Sequence, residues 1–309
     1  VCAAGARTAE PGEFTKRAFI NGKLDLVQVE AVASLVNSKS IENTRHQQKI
    51  LRGTLSLSIN NIRTKIVSLL GRLEHQMDID EEEWPTAPPS WLVDGVDAVY
   101  LKVRHFKKTS KFGRLLNRGA TVVIAGPPNV GKSSLLNALS QSSRSIVSSS
   151  PGTTRDTIEV ELLMRGVPVL FIDTAGLRQP KDEIEKEGVR RTKSFLKRAD
   201  LVLSLTDGPK SKKPLNAGAP TLSVLNKSDL QSNKTKNPSV IHISAKTGAG
   251  LPLLKRKISQ QLGINKISTD SPSLSTSRQH VAMVACSDAI QRSRSLIKKQ
   301  HLDIEIIAF

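Results

Sequence analysis

The segment Gly126-Pro-Pro-Asn-Val-Gly-Lys-Ser133 places two glycines, a lysine and a hydroxyl at the spacing that wraps a polyphosphate. Glycines 126 and 131 permit a tight turn whose amides surround phosphate oxygens, with Asn129, Val130, Gly131, Lys132, Ser133 and Ser134 as the lining residues. Lys132 brings positive charge to the β/γ oxygens, where charge grows during phosphoryl transfer, and the Ser133 hydroxyl is offered to Mg²⁺. Three further segments extend this chemistry. Asp173-Thr-Ala-Gly176 can hold Mg²⁺ through water and meet a γ-phosphate with the Gly176 amide, with Thr174 and Ala175 alongside. In Asn226-Lys-Ser-Asp229, the aspartate can accept both the ring N–H and the exocyclic amine of guanine, a donor pair that adenine lacks, while Lys227 flanks the base. Ser244-Ala-Lys246, through Ser244, Ala245 and Lys246, would close the base pocket. In this order the four segments point to a GTPase rather than an ATPase.

Between the first two lies Ser145-Ile-Val-Ser-Ser-Ser-Pro-Gly-Thr-Thr-Arg-Asp156, which supplies a switch threonine for the Mg²⁺ shell. Leu177 follows Gly176, where Ras-like enzymes carry the glutamine that orients the attacking water. Leucine cannot orient water, so another group must. The acidic run Asp182-Glu-Ile-Glu185 holds candidates, although acids in the first turn of a helix also suit its dipole.

These segments, together with Glu10-Pro-Gly-Glu-Phe-Thr-Lys-Arg-Ala-Phe-Ile-Asn-Gly-Lys-Leu-Asp-Leu26 and Val29-Glu-Ala-Val-Ala-Ser-Leu35, resemble the MnmE (TrmE) family of GTPases that modify tRNA, including its mitochondrial members. The N-terminal block distinguishes this family from relatives that share only the GTPase signatures. The resemblance implies GTP hydrolysis with Mg²⁺ held by Ser133 and Thr154, and with a K⁺ ion in place of an arginine finger. Asn129, Ser148, Ser150 and Thr153 fall where the family holds that K⁺. It also implies Glu185 as the residue that positions water, beside Lys132 and Thr154 as catalytic groups. The implied partners are tRNA, modified at carbon 5 of its wobble uridine, a flavoprotein of the MnmG (GidA) type, and a second copy paired through G domains and helical domains. Lys23 matches a folate-contacting position, but the rest of a folate pocket is not in this sequence, so folate as a one-carbon donor is doubtful. The family's terminal Cys-x-Gly-Lys tail is also missing, and Cys286, inside a helical pattern, reads as a small buried or partly buried residue.

The elements that must position this chemistry are legible in outline. Apolar runs at 121–125, 167–172, 201–206, 221–225 and 240–243 read as buried strands, each of the four motifs following one, with a helix at 134–139. The expected architecture is an α/β P-loop domain with a mostly parallel sheet, residues 119–267, inserted into an all-α domain of residues 24–118 and 268–309, after a remnant of a folate-binding domain at 1–23. Leu26, Val29, Val32 and Leu35, then Ile59, Ile62, Ile66, Leu69 and Leu73, recur at helical spacing. Pro-rich 84–90 interrupts the stem, 92–116 resumes it as a basic helix, and a Ser/Thr/Pro linker at 268–277 precedes a helical pattern from His280. The two helical portions should pack together. The connection 208–220, with three prolines and two glycines, accommodates no ordinary helix.

At 309 residues the chain can build two cores, and no apolar run approaches the ~20 residues of a membrane span. Cys2 and Cys286 give no disulfide framework and suit a reducing compartment. A formal charge of +18 and a pI near 10.1 favour a polyanionic partner and, with the resemblance, the mitochondrial matrix ahead of a bacterial cytoplasm. Lys102, Arg104, Lys107, Lys108, Lys111, Arg114 and Arg118 form the densest basic run, which reads equally as a polyanion contact or as a solvated helix face, and 3% aromatics give no stacking platform for base readout. The six histidines show no metal-ligand spacing. An RNA-binding switch of the Era or EngA kind, acting in ribosome assembly, fits the same signatures, as does a GTP-binding product without modification activity.

Overall fold

The computed structural model describes residues 2–79, 88–141, 159–173, 195–196, 198–208, 218–230, 239–265 and 273–298. Two compact units emerge: Val1–Asn117 with Ser268–Phe309, and Arg118–Ile267.

The second unit is built on a six-stranded sheet of order β2-β3-β1-β4-β5-β6. The strands are β1 (Ala120–Ala125), β2 (Glu159–Met164), β3 (Val167–Asp173), β4 (Leu201–Thr206), β5 (Thr221–Leu225) and β6 (Val240–His242). All neighbours run parallel except β2, which pairs antiparallel with β3. The central strands are apolar without alternation because both faces are covered, and Val122, Val123, Ile124, Phe171, Val202 and Leu203 are all buried. Leu135, Leu136 and Leu139 of a helix at Lys132–Gln141, here labelled α6, are also fully buried. Strand β2 was not among the strands expected from sequence. It is an edge strand whose exposed Glu159 breaks an apolar reading, and it turns into β3 through Arg165 and Gly166, both at positive φ (50° and 81°), the geometry of a two-residue hairpin.

The first unit is helical: α1 (Glu13–Ile20), α2 (Leu26–Val36), α3 (Ile41–Leu51), α4 (Thr54–Ile79), α5 (Ser90–Arg118) and, from the far end of the chain, Ser277–Lys298, here α7. Its core joins Ala31, Ile50, Leu55, Ile62, Val99, Val103, Phe106, Leu274 and Met283. The two helical portions therefore share one core across the insertion. Two expectations need correction. On α2 the core receives Val27 and Ala31, whereas Leu26 stays 42% exposed, because this helix is apolar nearly all round and its spacing does not single out one face. Residues 273–276 are not a loose linker: Leu274 is buried, His46 Nε2 bonds the Ser273 carbonyl at 3.1 Å and Asn117 bonds the Ser275 carbonyl at 3.2 Å. A single leucine in a polar run has no periodicity to reveal its burial. Cys286 is half-buried against this core, and burial pushes its thiol pKa up. No helix among the described residues is long and apolar enough to cross a membrane.

Candidate functional site

The carboxyl ends of the parallel strands gather the described site residues on one edge of the sheet, where open α/β sheets bind ligands. Strand β1 ends at Ala125 and leads into the loop 126–131; β3 ends at Asp173; β5 leads into Asn226 and β6 into Ser244. The loop needs its glycines for space. A Cβ at Gly126 would lie 2.3 Å from the Leu205 carbonyl, and Gly131 combines φ of +88° with a Cβ position 2.4 Å from Asn226 Nδ2. Asn129 and Lys227 hold left-handed backbone at φ 61° and 58°, a cost that non-glycine residues bear mainly where a site over-determines them.

Helix α6 starts at Lys132, so its amino-terminal amides and dipole face the loop. Lys132 is 5% exposed and its ammonium donates to the Gly126 carbonyl at 3.1 Å and the Pro127 carbonyl at 2.7 Å, which holds the charge across the mouth of the loop. The Ser133 hydroxyl donates to Asp173 Oδ2 at 2.8 Å, and Asp173 is fully buried. A hydroxyl and a buried carboxylate brought together in this way form the kind of hard oxygen pair that suits Mg²⁺, so the residues present fit that ion.

Asn226 joins three segments. It is 2% exposed; its Nδ2 donates to the Val130 carbonyl at 2.8 Å and its Oδ1 accepts from the Ala245 amide at 3.0 Å. The phosphate loop and the 244–246 loop are thus tied through one side chain. Ser244 is fully buried and its hydroxyl accepts from the Thr247 amide at 3.2 Å. The same hydroxyl donates to Asp229 and holds its carboxyl below the usual carboxylate range, with smaller contributions from the residue's own amide and from Lys246. Asp229 is therefore kept ionised and acceptor-only, as recognition of two guanine donors requires. One contact was not legible in the sequence: Asp207, just after β4, bonds Lys227 Nζ at 2.7 Å and fixes the lysine stem beside the site. No local pattern couples residues on neighbouring strands, although an aspartate just beyond the carboxyl end of a buried strand is a position worth reading.

Val130, Lys246 and Asn129 lie in the same group of loops, and Ser134 in the first turn of α6 beside them. Ser148, Ser150, Thr153, Thr154, Thr174, Ala175, Gly176, Leu177 and Glu185 lie outside the described residues, as does 209–217 of the Pro-rich connection. Lys23 belongs to the helical unit, exposed in the turn after α1, and its amide bonds the Ala18 carbonyl at 2.9 Å. Among the described residues no three His, Cys, Asp or Glu side chains form a metal cluster.

Parallel sheet, phosphate loop and guanine-reading aspartate define a P-loop GTPase, a hydrolase acting on GTP. The model of the MnmE helical domain matches residues 26–309. The tRNA modification GTPase MnmE of Aquifex aeolicus is 38% identical over 315 residues, covering 98% of this chain and 70% of that protein. The tRNA modification GTPase MnmE of Coxiella burnetii is 39% identical, covering 96% and 68%. Among solved structures, Era of Aquifex aeolicus bound to GDP·AlF4⁻ aligns at 28% identity with a TM-score of 0.37, over 55% of this chain and 66% of that one. The chain belongs to the MnmE family.

Proposed function

We propose that this chain is the GTP-hydrolysing component of a complex that modifies the wobble uridine of tRNA at carbon 5, in the carboxymethylaminomethyl series, together with an MnmG-type flavoprotein. The observation that carries the reading is the guanine-specific edge described above in a chain of the MnmE family, whose curated relatives are named for tRNA modification. In this reading hydrolysis drives a rearrangement, with two G domains facing each other, and the strongly basic balance suits the mitochondrial matrix.

The residues have distinct tasks. The amides of 129–134 and Lys132 bind and orient the β- and γ-phosphates, and Ser133 with Asp173 and Thr154 would hold Mg²⁺, which neutralises charge between the two phosphates when bound. Asn129, Ser148, Ser150 and Thr153 would hold K⁺, an oxygen-ligated cation that supplies the positive charge other GTPases obtain from arginine. The Leu177 side chain offers water no hydrogen bond, and the family resemblance assigns the orienting role to Glu185 of the acidic run that follows.

Cation substitution tests the mechanism. Mg-GTP turnover should rise when K⁺ replaces Na⁺, and Glu185→Ala should slow turnover while GTP affinity stays within about threefold. Equal rates in the two salts, or a Glu185 defect confined to affinity, overturns the assignment. Reconstitution with the flavoprotein and an unmodified tRNA tests the larger role, since failure to alter the wobble uridine in the complete mixture contradicts it.

A further inference from the structure

We propose that the exposed basic stripe of α5, formed by Arg104, Lys108 and Lys111, is a contact surface for the phosphodiester backbone of structured RNA; this rests on reading the chain as a component that handles tRNA. Residues 98–118 contain seven Lys and Arg and no Asp or Glu. The structure sorts these cations into different roles. Lys107 pairs with Asp288 at 3.1 Å, Arg118 pairs with Asp200 at 2.6 Å and Arg114 is half-buried. Arg104, Lys108 and Lys111 are exposed and make no ion pair among the described residues, as is true of Lys102, which helical spacing puts on a different face. Val99, Val103, Phe106 and Ser110 are buried, which fixes the helix rotation and turns the stripe outward.

Positions 104, 108 and 111 recur at i, i+4 and i+7, so the three side chains share one face and rise about 6 and 4.5 Å along the axis. Like charges at this spacing oppose helix formation by a few tenths of a kcal/mol per pair. Nothing on the helix compensates them, whereas a strand of phosphates would. The stripe carries no Phe, Tyr or Trp, so it cannot stack bases, and backbone contact without base readout is the chemistry that remains. A membrane surface fits less well. An interfacial helix presents a broad apolar face to lipid, but here that face is committed to the core and Leu101, 61% exposed, is the large apolar residue beside the cations.

The test compares the full chain with its Arg104→Gln/Lys108→Gln/Lys111→Gln variant for binding of an unmodified tRNA transcript across a salt series. Glutamine keeps helix propensity at exposed sites, and circular dichroism with RNA-free GTP turnover confirms folding. The expected result is a loss of roughly ten- to a hundredfold in affinity at about 0.1 M salt and a slope of log K against log salt shallower by about 2 to 3, each single variant removing about a third of that slope change. GTP turnover without RNA should stay within twofold. An unchanged slope in a variant of a chain that does bind tRNA overturns the stripe alone. Absence of tRNA binding by the unaltered chain at low salt overturns both the stripe and the RNA-handling role. Loss of binding to phosphatidylserine vesicles with tRNA affinity intact would assign the stripe to a lipid surface and also overturn the proposal.

Discussion

Replacing Asn226 with alanine probes how the nucleotide edge is assembled. The side chain spans the Val130 carbonyl at 2.8 Å and the Ala245 amide at 3.0 Å, and both Asn226 and Val130 are 2% exposed. Alanine leaves a buried carbonyl without a donor, which costs about 1–3 kcal/mol, and frees an amide that water reaches more readily because Ala245 is half-buried, for about 0.5–1.5 kcal/mol. The sum, about 1.5–4.5 kcal/mol, falls on the equilibrium that holds the phosphate loop and the base loop in register. At about 1.4 kcal/mol per tenfold, guanine nucleotide affinity should fall roughly 10- to 1500-fold if both loops must be in place for binding. The assay is titration of a fluorescent GDP analogue against the purified chain, with thermal unfolding in parallel. Asn226→Asp supplies a matched control, because it keeps an acceptor for Ala245 but sets a carboxylate oxygen against the Val130 carbonyl. It should also bind weakly. Affinities within threefold of the unaltered chain for both variants would refute the claim that this residue couples the loops.

Asp207→Asn removes an exposed ion pair to Lys227 with side chains 42% and 37% exposed, so screening limits its worth to about 0–1 kcal/mol. Equilibrium binding should show at most about a fivefold loss of GTP affinity, and a loss above twentyfold would mean that Asp207 touches the nucleotide itself. Gly131→Ala should abolish nucleotide binding in the same titration, since the added methyl meets Asn226 Nδ2 at 2.4 Å on backbone already at φ +88°; near-normal affinity would contradict the close approach. His46 is buried beside Ser273, and desolvation first, then the nearby Lys49 charge, lowers its pKa below the ordinary value near 6.5 despite its bond to the Ser273 carbonyl. The unfolded chain then takes up a proton that the folded chain refuses, so this stability contribution is complete above about pH 6.5 and is lost as pH falls from there toward the folded-state value. Relative to His46→Gln, the unaltered chain should lose at most about 1.4 kcal/mol per pH unit in that window in denaturant titrations; parallel profiles would refute it.

What the sequence revealed and what it withheld follow from the range of the interactions involved. Largely apolar runs at Leu201–Thr206 and Thr221–Leu225, broken only by small hydroxyl residues, announced strands buried on both faces, and glycine and lysine spacing after Ala125 announced the phosphate loop. Both signals are local. The β2 edge was missed because its outward glutamates interrupt the apolar pattern, although the Arg165-Gly166 pair was a usable hairpin signal. The Asn226 and Asp207 contacts join residues 96 and 20 positions apart, a pairing set by strand order rather than by spacing. Burial of Leu274 likewise depends on α5 and α3 lying beside it, which a polar neighbourhood conceals.

Base selection is the most direct trial of the account. The measurement is hydrolysis of GTP, ATP and xanthosine triphosphate by the chain and by Asp229→Asn under identical Mg²⁺ and K⁺. The account predicts that the unaltered chain cleaves GTP with little effect on ATP, and that the variant binds and cleaves GTP more weakly while gaining xanthosine triphosphate, whose ring carbonyl accepts from the new amide. Equal handling of GTP and ATP, or a variant with unchanged preference, would contradict it.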